Sequence, residues 1–134
     1  MSAIQKSVQL VDARRMVDAA RKKAEELKQS VSIAVVCAGG HLLVFERMEG
    51  AWLASVELAV DKAWTARAFD VATKDLAKKA QPGGEFYGVT GGRTTLLTGG
   101  VPVLQDNAVV GAIGVSGCAA AQEQEIAEAG AQAF

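Results

Sequence analysis

Arg47 and Lys62 are the cations of this chain best suited to holding a negative group. A guanidinium at the end of a strand can fork onto a carboxylate, and Lys62 falls inside a strongly apolar stretch, Ala51 to Phe69. An ammonium in such surroundings is costly without an anion, so it should meet a ligand or one of Glu46, Glu57 and Asp61. Glu123 has two readings. A carboxylate there suits the start of a helix, and it could equally move a proton, paired across a pocket with Glu46 or Glu57. Just ahead of it, Ser116 and Gly117 can offer backbone amides to an anion without any special side chain. Tyr87 and Arg93 sit in a glycine-rich loop, where they either cover a planar ligand or anchor the loop. His41, the only histidine, suits a haem ligand or a general base, or is an ordinary surface residue after Gly39-Gly40. Cys118 could carry a lowered pKa at a helix start, but no histidine lies near it in sequence to serve as its base. The spacing of residues makes no metal cluster, phosphate loop or catalytic triad; Gly83-Gly84 and Gly91-Gly92 lack the lysine a nucleotide loop needs.

These residues need a frame. Leu10 to Gln29 has an apolar stripe at helical spacing, Val11, Met16, Val17, Ala20, Ala24 and Leu27. Val31 to Cys37 is short and β-branched, which predicts a strand; Ala38-Gly39-Gly40 turns it into an antiparallel partner, His41 to Met48. A second helix spans Ala51 to Phe69, with Trp52, Val56, Ala59, Val60, Ala63 and Ala66 on one face. Leu58, Trp64 and Phe69 lie off that face, so the helix should be covered by two neighbours, the sheet and another subunit. Thr73 to Ala80 reads as a short helix capped by Thr73, and the glycine-rich loop follows. Such a long loop in a compact domain suggests function. Thr94 to Leu97 is a candidate strand. Gly99 to Val103 and Ala108 to Gly117, joined at Asp106-Asn107, make a hairpin whose glycine corners permit close backbone approach. Gln122 to Phe134 closes as a helix.

The 134 residues fit one domain, 1–134, with half of them hydrophobic, 22% charged and a net charge of −1. That balance lacks the basic excess of a nucleic-acid binder. No stretch has the length of a membrane span, and the first residues lack the apolar core of a signal peptide. Cys37 and Cys118 are isolated, which fits reduced thiols in a cytoplasmic protein.

Several stretches in order carry a resemblance: Val31-Ser32-Ile33-Ala34-Val35-Val36, Gly39-Gly40-His41-Leu42, Arg47-Met48, Gly50-Ala51, Lys62-Ala63, Thr65-Ala66, Gly99-Gly100-Val101-Pro102 and Gly111 to Gly117 with Gln122-Glu123. Together they resemble the GlcG/HbpS-like family (DUF336), which includes haem-binding HbpS proteins and the C-terminal domain of PduO-type corrinoid enzymes. The resemblance implies an α/β (α+β) fold, a profilin-like α/β/α sandwich with a central antiparallel sheet of about five strands. It also implies a homo-oligomer that binds a small molecule, either a tetrapyrrole (haem or a corrinoid) or a small catabolic carboxylic acid. Arg47, Lys62 and Arg93 would hold its negative groups, the Ser116 and Gly117 amides would complete the anion site, and Tyr87 would pack the ligand. The alternative is a hydrolase, deaminase or isomerase for an unsaturated acid, in which Glu123 or Lys62 moves the proton. Two departures stand out. Many relatives carry Asp where this chain has Cys37, and some haem-binding relatives have a first-helix His where this chain has Arg14, Arg15 and Met16.

Overall fold

The β-branched runs form the centre of the molecule. The computed structural model describes residues 2–89 and 91–134. Its elements are α1 (Leu10–Glu26), β1 (Ser32–Cys37), β2 (Leu42–Arg47), α2 (Leu53–Phe69), α3 (Thr73–Lys79), β3 (Gly100–Gln105), β4 (Ala108–Ser116) and α4 (Ala120–Gln132). The sheet is antiparallel in the order β2-β1-β4-β3. Ser32 faces Arg47 on one side and Ser116 on the other, while Cys37 faces Gly111. One end of the sheet therefore gathers the start of β1 with the ends of β2 and β4.

Alternation along the strands makes two cores. Ile33, Val35, Ile113 and Val115 pack with Met16, Val17 and Ala20 of α1 and Ile126 and Ala127 of α4. Ala34, Val36 and Ala112 face α2, which answers with Ala59, Ala63 and Ala66. This is the expected sandwich. On the α2 side it is thin, because a Cβ on Gly114 would run into the Ala59 carbonyl. Alanine against glycine lets α2 lie directly on the β4 backbone, which brings Lys62 to the end of that strand.

The sheet has four strands among the described residues, not about five. Thr94 to Leu97 lies outside it: the Thr95 N–H donates to the Thr65 hydroxyl at 3.1 Å instead of to a neighbouring strand. Thr73 does not cap α3. Ala72 holds that position, and the Thr73 hydroxyl accepts from the Gly100 N–H at 2.9 Å. The inward stripe of α2 also differs from the expected apolar face. It consists of Ser55, Ala59, Lys62, Ala63, Thr65 and Ala66, while Trp52 and its neighbour Leu53 are 65% and 88% exposed. Small residues seat the helix this close, with Lys62 the one large side chain turned inward, while Trp52 and Leu53 are turned outward.

Candidate functional site

Lys62 leaves α2 at the end of the sheet and is 1% exposed. Its Nζ donates to the Val115 carbonyl at 3.0 Å and to Glu123 Oε1 at 3.1 Å. Gly99, at φ +127°, closes over the ammonium: any Cβ there would collide with the Val115 carbonyl and come within 3.1 Å of Nζ. Glu123 stands in the first turn of α4, 7% exposed. Its Oε2 accepts from the Gly117 N–H at 2.8 Å and the Cys118 N–H at 3.4 Å. One carboxylate thus neutralises the lysine and fixes the corner between β4 and α4. Neither Glu46, Glu57 nor Asp61 is the partner of Lys62; Glu46 is bound instead to Arg21.

A cavity of about 370 Å³ opens beside this pair. Lys62, Glu123, Ser116 and Thr98 supply its polar groups, Trp52, Leu58, Leu96 and Leu97 its apolar walls, and Cys118 and Ala120 complete it. An ammonium has three donors, and two are used inside the protein. The third can serve an oxygen in the cavity. Burial pulls the Lys62 ammonium below the ordinary lysine range, and Glu123 pulls the other way.

The Cys118 thiol is pushed up to about 11, first by burial and then by Glu123, with Lys62 opposing. Its usual value is 9.0, so near neutral pH its thiolate fraction should fall about 100-fold below that of the unfolded chain. Iodoacetamide labelling followed by peptide mapping should show Cys118 alkylated correspondingly slowly in the folded protein and readily in urea. Labelling at equal rates would contradict this. Between pH 9 and about 11 the unfolded chain sheds this proton first, so the contribution of Cys118 to stability falls as pH rises through that window.

The structure brings Lys62, Glu123, Ser116 and Gly117 together and sets the other sequence-based candidates elsewhere. The Gly117 amide is already held by Glu123. Arg47 ends β2, donates to the Ala51 carbonyl at 2.8 Å, and faces a different cavity with Arg21, Glu46 and Met48. Arg93 lies over the Trp64 ring at 5.1 Å and 3.7 Å from Asp61. Tyr87 is 65% exposed on its loop and is not among the residues lining the Lys62 cavity. His41 is exposed at the β1–β2 turn, at the end of the sheet opposite Ser116. The apolar walls were missed in the sequence. Leu58, off the main face of its helix, and the Leu96-Leu97 pair before two glycines were the available signals.

Residues 8–132 match the HbpS-like family, whose description is haem degrading protein HbpS-like, and the chain belongs to that family. The crystal structure of Klebsiella pneumoniae protein ORFY superposes with a TM-score of 0.94 at 33% identity, covering 99% of this chain and 94% of ORFY. A crystal structure of a PduOC:haem complex gives a TM-score of 0.90 at 34% identity, covering 95% of this chain and 94% of that one. The corrinoid adenosyltransferase PduO of Citrobacter freundii is 37% identical over 125 residues. Those residues are 91% of this chain but only 37% of PduO.

Proposed function

We propose that this chain is a small-molecule-binding protein whose ligand occupies the Lys62 cavity. An apolar body would lie against Trp52, Leu58, Leu96 and Leu97, with a carboxylate or carbonyl oxygen on the Lys62 ammonium. One observation carries this: an ion pair nearly sealed from water stands at the edge of an apolar cavity. A buried pair is weak as a stabilising device, since apolar residues of like volume often serve as well, so a role beside the cavity accounts for it better than stability does. The same reading includes a homo-oligomer, a second copy covering the exposed Trp52 of the cavity wall and its neighbour Leu53.

Two ligand sources share this chemistry, a small unsaturated carboxylic acid and a tetrapyrrole bearing carboxylates. The haem complex of the PduO relative supports the second. Haem iron takes an axial His, Cys thiolate, Met or Tyr. At this cavity the one such group among the described residues is Cys118, which shares the wall with the Glu123 carboxylate, and His41 lies at the other end of the sheet. That donor set does not fit an iron-ligated haem, so the small acid is the favoured ligand.

The test is a pair of titrations of the same protein. Calorimetry with short unsaturated acids, crotonate and cinnamate, should give saturable binding of one molecule per chain. Haemin should give broad absorption that does not saturate. A sharp, shifted Soret band at fixed stoichiometry would transfer the reading to the tetrapyrrole. No saturable binding by either would overturn it.

A further inference from the structure

Lys62 is an amine held in one place by two acceptors, the Val115 carbonyl and Glu123 Oε1, at 3.0 and 3.1 Å. It borders a cavity whose larger walls are Trp52, Leu58, Leu96 and Leu97. Surface lysines such as Lys22, Lys28, Lys78 and Lys79 are exposed and line no part of this cavity. An amine attacks a carbonyl carbon only after losing its proton, and Glu123 is within reach to take it. Glu123 is itself steadied by the Gly117 and Cys118 amides, so the carboxylate keeps its place whichever way the proton moves.

From this arrangement we infer that Lys62 captures apolar aldehydes as an imine, with Glu123 moving the protons. The inference rests on the reading that ligands enter the Lys62 cavity, and adds a covalent step to it.

Glu123 Oε1 takes one proton from the ammonium, and the freed Nζ electron pair attacks the aldehyde carbon. The carbonyl π pair moves to oxygen, which receives the proton back from Glu123, leaving a carbinolamine protonated on nitrogen. Glu123 then removes a proton from that nitrogen and passes it to the hydroxyl. Water departs as the nitrogen pair closes the C=N bond. The product is an iminium facing the Glu123 carboxylate, the same charges as at the start, and one water is released. No oxidant or reductant is consumed. The lowered proton affinity that burial gives Lys62 favours the first transfer, and the apolar walls shelter the iminium from hydrolysis.

The experiment treats the intact wild-type protein with a limiting amount of butanal and sodium cyanoborohydride, then maps modified lysines by peptide mass spectrometry. Trapping should fall first on Lys62, ahead of Lys22, Lys28, Lys78 and Lys79, and an excess of crotonate should suppress it. In Lys62→Arg, which keeps the cation, the focused label should vanish and only weak surface labelling remain. Label spread over surface lysines with Lys62 unmodified would overturn the inference. Mapping of the wild-type protein decides this whether or not the variant folds. If crotonate still binds by calorimetry in that case, the imine step fails and the binding function stands; if neither probe engages, both fail together.

Discussion

Glu123→Ala should destabilise the protein by about 3–5 kcal/mol, the loss expected when one partner of a buried ion pair is removed and the other stays charged. The effect has two parts. Lys62, 1% exposed, would keep only the Val115 carbonyl, and the amides of Gly117 and Cys118 would lose their acceptor at the β4–α4 corner. Gly117 sits at φ +134° against the Ser30 carbonyl, so that corner has little freedom to find other partners. Urea unfolding followed by circular dichroism measures the loss, which should appear as a lower midpoint at unchanged slope. Removing both charges together, in Lys62→Met with Glu123→Leu, should recover much of it. A loss under about 1 kcal/mol for Glu123→Ala would mean that water, and not the carboxylate, satisfies the lysine.

The second large effect concerns binding. Lys62→Met keeps most of the side-chain volume and removes the ammonium. Affinity for crotonate or cinnamate should fall roughly 10- to 150-fold, the equivalent of one charge-assisted hydrogen bond of about 1.5–3 kcal/mol. Calorimetric titration of the variant, compared with wild type, is the check. Arg47→Ala and Arg93→Ala serve as controls. Arg47 is engaged with the Ala51 carbonyl and Arg93 with Trp64 and Asp61, both outside the Lys62 cavity, so neither should alter the affinity appreciably. Equal losses in all three would spread the site over a wider surface than the one described.

Much of the fold was legible because it follows from local pattern. β-Branched runs at Val31–Cys37 and Val109–Val115 could only be buried strands, and Asp106-Asn107, both at positive φ, mark the hairpin turn between β3 and β4. The surplus strand at Thr94–Leu97 came from reading β propensity without its competitor, the Thr65 hydroxyl that takes the Thr95 N–H. The site was half legible. That Lys62 needs an anion follows from its apolar neighbours in sequence, and Glu123 was visible as a helix-start carboxylate. Their pairing was not visible. It joins α2 to α4 across 61 positions and depends on α2 lying against β4, a long-range packing that no local pattern shows. Glu46, Glu57 and Asp61 were nearer along the chain, yet Glu46 is drawn to Arg21, and Glu57 stays exposed. Charge chemistry named the right types of residue; topology chose among them.

The most direct measurement follows the nitrogen of Lys62 itself. Protein labelled with 15N at lysine Nζ, and assigned through Lys62→Arg, would be titrated with crotonate and observed by NMR. The Lys62 resonance should shift progressively and saturate at the stoichiometry found by calorimetry, while signals from Lys22, Lys28, Lys78 and Lys79 stay in place. A Lys62 signal that does not move while the acid binds would put the ligand elsewhere on the molecule.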